Sequence, residues 1–253
     1  MRLRALLLVT AATITTALPA AVPAGAGTTP PDPAPGGPQR PYEPDVNGPQ
    51  NLDTLSVSVT RHAGRSVTVG FDRRSRTASG VMPAAPRRFV FLFDRSLTFH
   101  PEAFPTCARS VIETSGPDAC PAGSRIGGGI GTAYDGRESP VLAFNTWVGA
   151  LRGLLVVLPE SGVVLEQTFE RVSGPYRDRY RWALDEIVPP TPAPPEQRAG
   201  TSRFRLSFGA TTRDRGRPVG FVETTRGGKL GFGLWSEFVT GQVVLPEWQT
   251  LTP

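Results

Sequence analysis

The stretch LSVSVT, residues 55–60, alternates strictly between apolar and polar side chains, and that alternation limits what this chain can build. Leu55, Val57 and Val59 fall on one side of an extended backbone, and Ser56, Ser58 and Thr60 on the other. The reason is geometric, since successive side chains of a strand point to opposite faces. The period recurs in RSVTVGF, with Val67, Val69 and Phe71 in phase. It recurs again in SRFRLSF, where Phe204, Leu206 and Phe208 oppose Arg203, Arg205 and Ser207. RRFVFLFD is apolar in both phases, Phe89, Phe91 and Phe93 against Val90 and Leu92, which predicts a strand covered on both faces. RGLLVVL, GVVLEQTFERV, RYRWALDEIV and LGFGLWSEFVTGQVVL bring the set to eight or more strands. Turn residues in HAGR, YDGRES, PESG, SGPY, RDRGRP and TRGGK separate them.

Only residues 106–114 have helical character, about two turns ended by Ser115-Gly116-Pro117. Strands at short spacing, without alternating helices, predict an all-β fold. The expectation is a single β-sandwich over 52–247, jelly-roll or immunoglobulin-like, with one short helix near 106–114 and a C-terminal tail over 248–253. PPTPAPPEQRAG, residues 189–200, is read as a long polyproline-rich loop joining strands of that one sandwich.

Arg2 and Arg4 precede an apolar run, Ala5 to Leu18, broken only by threonines, and Ala24-Gly25-Ala26 supplies a small-x-small pattern. This is the layout of a secretory signal peptide, expected over 1–26, whose core is too short to span a bilayer. Residues 27–51 carry proline or glycine at nearly every third position and predict a disordered, semi-rigid linker. No later run approaches the roughly 18 apolar residues of a spanning helix. A secreted, extracytoplasmic chain is therefore expected.

The formal net charge of +5 raises the question of nucleic acid, and the distribution argues against it. A nucleic-acid binder gathers positive charge on one stripe or helix. Here the clusters RRSR (Arg73 to Arg76) and RDRYR (Arg177 to Arg181) are short and interrupted, and they read as solvated strand faces and turns.

The two cysteines, Cys107 and Cys120, form no CxxC pair, and in an exported chain they predict a disulfide. Zinc would need more ligands than these and the distant His62 and His100 supply, and no metal or cofactor is expected. The glycine run GSRIGGGIG lacks the lysine of a phosphate loop and lies between strand patterns, so it reads as a bulge, a bend or a close backbone approach. GxSxG and HExxH are absent. A triad would have to use His62 or His100, and His100, in LTFHPEAFP near Asp94 and Glu102, is the better placed. Glu166 and Glu170 share a strand face about 13 Å apart, beyond the range of about 5–9.5 Å for glycosidase pairs. The adjacent Asp185 and Glu186 point to opposite faces. Tyr180, Trp182 and Trp235 are candidates for a sugar-stacking platform, set against the alternative that they pack the core.

The segment FVFLFDRSLTFHPEAFPTCARSVIETSGPDACPAGSRIGGGIGTA resembles a group of exported actinobacterial proteins. Their pattern is an apolar strand, F/L-P-x-C, a short helix and C-P-x-x-S-x-I/V-G-x-G. The matching residues here are Phe104, Pro105, Cys107, Cys120, Pro121, Ser124, Ile126, Gly127 and Gly129. The resemblance implies a secreted all-β domain and assigns no catalytic residues. The function expected is a non-enzymatic binding or structural module working on an envelope polysaccharide or an extracellular protein. The alternative is a secreted esterase or glycoside hydrolase using His100 with a nearby carboxylate.

Overall fold

The computed structural model describes residues 29–252 except positions 190 and 226. The signal peptide expected over 1–26 lies outside the described residues. The chain begins with β1 (Asn51–Arg61), β2 (Ser66–Thr77), β3 (Pro86–Asp94), the short β4 (Leu97–Phe99) and helix α1 (Arg109–Ser115). A meander follows: β5 (Arg125–Ala133), β6 (Glu138–Val148), β7 (Leu151–Leu158), β8 (Val163–Arg171) and β9 (Tyr180–Ile187). Then come β10 (Thr201–Phe208), the hairpin β11 (Thr211–Asp214) and β12 (Arg217–Gly220), and β13 (Val222–Thr224). The last strands are β14 (Gly228–Phe238), β15 (Val243–Val244) and β16 (Glu247–Thr252).

All but the β11–β12 hairpin belong to one antiparallel sheet. Its long strands run β16-β14-β3-β9-β8-β7-β6-β5-β10-β2-β1. The sheet folds back on itself until β1 lies beside β16, giving an all-β, sandwich-type fold around one interior. The inward phases are those of the alternating sequences, with Val57, Val69, Phe71, Phe91, Phe93, Leu206 and Phe208 in one core. Phe71 meets Phe91 and Phe93 edge-on at 5.2 Å and Phe232 at 5.8 Å, so β2 is locked to β3 and β14 across the interior.

β3 is covered on both faces, and the cover on its outer face is the proline-rich segment. Val90 and Leu92 point outward and pack with Ala34, Tyr176, Tyr180 and Trp235. Where the sequence predicts a disordered linker, residues 30–46 instead lie along the sheet. Trp235 Nε1 donates to Pro30 O at 3.0 Å, Ser173 N to Pro33 O at 2.9 Å, and Arg87 Nη2 to Pro44 O at 2.6 Å. Arg88 fixes the arm by reaching Asp32 at 2.6 Å and Ala34 O at 3.0 Å while gripping Asp185 with two hydrogen bonds of 2.8 and 2.6 Å. Proline carries no N–H but keeps its carbonyl, and its fixed φ lowers the entropy lost on docking, so such a segment suits an acceptor-rich strap. The expected tail over 248–253 differs too: β16 pairs with β14, Trp248 opposite Phe232.

The short helix lies one to three residues later than its predicted limits. It packs on the outer face of β6 to β8, where Ile112 and Cys107 meet Phe144, Leu155, Val157 and Val164. Cys107 and Cys120 are bonded, with Cα atoms 5.3 Å apart. The glycine run forms β5 with a bulge between Arg125 and Gly127. A Cβ at Gly127 or Gly129 would strike the carbonyl oxygen of Ser207 or Arg205 on β10, so these glycines permit a close backbone approach.

Two outcomes follow from these contacts. Arg88→Ala leaves the Asp185 carboxylate buried without its partner and should cost about 3–5 kcal/mol in urea unfolding, with early proteolysis within 30–46. A loss below about 1 kcal/mol, with the arm still protected, would show that the clamp is dispensable. Replacing Cys107 and Cys120 by alanine opens a loop for which chain entropy gives about 3 kcal/mol, hence a Tm lower by roughly 6–12 °C. An unchanged Tm would remove the bridge from the stability account.

Candidate functional site

At the end of the sandwich formed by the C-terminal half of β2, the start of β3, the β7–β8 turn and the end of β9, the aromatic packing stops. A cavity of about 300 Å³ opens there. Its walls are apolar, with Phe89 and Phe91 from β3, Leu158 and Leu165 from β7 and β8, Phe204 from β10 and Leu234 from β14. Its rim is the proline-rich loop between β9 and β10, through Val188, Pro189, Thr191, Ala199 and Gly200. That loop is held from the arm: Glu43 accepts from Arg198 at 2.9 Å, and Arg198 also donates to Ala193 O at 2.9 Å.

The cavity floor is polar because two inward-phase positions carry charged residue types, Arg73 on β2 and Glu186 on β9. On β2 the phase of Val67, Val69 and Phe71 continues through Arg73 and Ser75. Only Arg74 and Arg76 of the RRSR cluster are exposed, so the reading of that cluster as a solvated face is corrected for Arg73. Arg73 is paired across the ladder with Leu55 of β1, and its Nε meets Asp53 at 2.6 Å, with both side chains essentially excluded from solvent. Ser75 Oγ donates to the other Asp53 oxygen at 2.6 Å. The Arg73 guanidinium lies 4.9 Å from the Phe89 ring centre, and its Nη1 is buried without an acceptor.

Glu186 of β9 faces the same interior, while its neighbour Asp185 faces outward into the Arg88 clamp. Glu186 Oε2 accepts a 2.5 Å hydrogen bond from Gln167 Nε2 of β8. Burial pushes the carboxyl up to about 7 from its ordinary 4.5, against the opposing pull of Gln167 and Arg73, so much of it is protonated at neutral pH. Gln167 Oε1 is buried without a donor.

The residues singled out from sequence lie elsewhere. Tyr180 and Trp235 are 2 % and 5 % exposed, so neither presents a ring face. Tyr180 donates to Glu247 at 2.7 Å, Trp235 is covered by the arm, and Trp182 packs on the core beneath Arg171 at 3.8 Å. The stacking platform is therefore corrected to packing, because each ring sits on a strand face that the arm or the core covers. His100 contacts two carboxylates, Glu102 at 3.2 Å and Glu223 at 3.6 Å, and no hydroxyl among the described residues is hydrogen-bonded to it. Asp94 instead accepts from Ser96 and from Gly231 N. His62 meets Thr68 Oγ1 at 2.7 Å on the surface. Glu166 pairs with Arg109 at 3.4 Å. Among the described residues no cluster of three His, Cys, Asp or Glu side chains could ligate a metal, and no helix is long and apolar enough to cross a membrane.

Comparison with protein-family models, with curated proteins and with solved structures finds no match.

The raised Glu186 sets a pH dependence whose sign is fixed. Between about 4.5 and 7 the unfolded chain has lost a proton that the folded chain keeps, so stability declines as pH rises through this window. Glu186→Gln should remove that decline, gaining on the parent between pH 5 and pH 8 in urea midpoints. Parallel pH profiles for the two proteins would refute the assignment.

Proposed function

We propose that this chain is an exported, non-enzymatic β-sandwich that takes up a small apolar molecule in the cavity between its leaves. The observation that carries the reading is the cavity itself: apolar walls above a few convergent polar groups, the composition typical of small-molecule sites. An envelope polysaccharide becomes a poorer candidate because Tyr180 and Trp235 are buried and the half-buried Trp182 packs on the core beneath Arg171. The hydrolase alternative needs a nucleophile at His100, and the ring's partners are carboxylates. Export is supported by the leader-like N-terminus and agrees with the Cys107–Cys120 bond.

Titration with the neutral fluorophore N-phenyl-1-naphthylamine is expected to show saturable binding at one site. Val163 lines the mouth and is 38 % exposed, so Val163→Trp can obstruct entry without overfilling the core. The variant should bind about tenfold more weakly with Tm within about 2 °C of the parent. Absence of saturable binding, or equal binding by the variant, would sink the reading.

A further inference from the structure

The floor of the cavity has a chemistry that its walls lack. Arg73 and Glu186 both line it, on β2 and β9. The Arg73 charge is balanced inside the protein by Asp53 at 2.6 Å, yet its Nη1 has no acceptor. The Glu186 carboxyl has its hydrogen bond on Oε2, from Gln167, which leaves Oε1 for a further partner. A buried donor without an acceptor is costly, and native interiors rarely keep one unless a water or ligand completes it.

We propose that the cavity holds a neutral, hydroxyl-headed, straight-chain amphiphile whose oxygen accepts from Arg73 Nη1 and whose hydroxyl proton is donated to Glu186. This rests on the reading of the cavity as a ligand site. The alkyl chain lies against Phe89, Phe91, Leu165 and Phe204. A volume of about 300 Å³ lies at the lower end of the range of small-molecule sites, which suits one slender chain. Charge arithmetic selects the head. Arg73 and Asp53 already cancel, and the surroundings of Glu186 oppose charge, so a carboxylate head would add a buried charge without a counter-ion. A cationic head would face Arg73. An ether accepts from Arg73 but has nothing to give Glu186.

The test displaces N-phenyl-1-naphthylamine at pH 8 with 1-decanol, decyl methyl ether or decanoate. Decanol should bind about tenfold or more tightly than either of the others, since a site built to bond a hydroxyl rejects analogues that cannot satisfy it. In Glu186→Leu/Gln167→Leu both hydrogen-bonding partners are replaced together by apolar groups, a change the interior tolerates better than loss of one. There decanol and the ether should converge to within about twofold, as the donor-accepting group is gone. Ether or decanoate binding as tightly as decanol to the parent would overturn the head-group assignment while leaving the cavity as a binding site. Failure of the fluorophore and all three chains to bind would overturn both. Should the double variant not fold, the ranking on the parent protein decides alone.

Discussion

Phe71 holds the two leaves of this fold together. A sheet that wraps through eleven long strands gains nothing from wrapping unless its inward faces meet, and Phe71 is where they meet. Its ring packs edge-on against Phe91, Phe93 and Phe232 and, farther off, Phe208, so one residue of β2 engages β3, β14 and β10. Each such aromatic pair contributes about 0.5–1.5 kcal/mol beyond burial. The closing strands β1 and β16 are not joined by a ladder, so it is this interior packing that brings them side by side.

The two ends of the sandwich resolve the same problem differently. Toward the β4 and β13 end the interior fills with Phe99, Phe104 and Phe221. There Asn145 gathers the carbonyls of Pro101, Phe104 and Pro105 with a single amide nitrogen at 2.9, 2.9 and 3.2 Å. Cys107 N in turn donates to Asn145 O at 2.8 Å, which seats the disulfide-bonded helix beside the closed end. Two residues beyond Phe71 the inward phase passes to Arg73, and opposite it Leu184 gives way to Glu186. Polar side chains that must keep hydrogen-bond partners cannot interdigitate like phenylalanine rings, and the cavity lies where they replace them.

Alternation made the strands legible, together with their inward residues from Leu55 to Val59 and Phe204 to Phe208. The cysteine pair and the close approach at the glycine run were legible as well. What stayed hidden depends on partners remote in the chain. Arg73 continues the phase of Phe71, a signal present in the sequence, but a strand-end arginine is ordinarily solvated unless a carboxylate such as Asp53, on another strand, makes burial tolerable. Trp235 and Tyr180 read as display residues because nothing in their own strands announces that the arm or Glu247 covers them. The arm itself has the composition of a tether, and its order derives from donors on β3 and β14 that composition cannot reveal. For β16, Pro246 marks the end of one strand and conceals the start of the next.

The arm and the cavity are coupled through one carboxylate. Glu43 accepts from Arg40 of the arm at 3.1 Å and from Arg198 of the rim loop at 2.9 Å, and Arg40 also reaches Val188 O at 3.4 Å. The segment that covers the outer face of β3 therefore also holds the loop that borders the cavity mouth. The hydrogen bond from Arg198 holds Glu43 down to about 2, against the effect of its burial, so its contribution is complete above the ordinary 4.5 and fades as pH falls toward 2. Glu186 works in the other sense, with its contribution complete below 4.5 and lost by about 7. On these two groups alone, loop anchorage and a neutral floor coexist best in mildly acidic solution. Toward neutral pH the floor begins to gain charge while the rim stays latched, so a change in pH alters the polarity at the bottom of the cavity without opening its mouth.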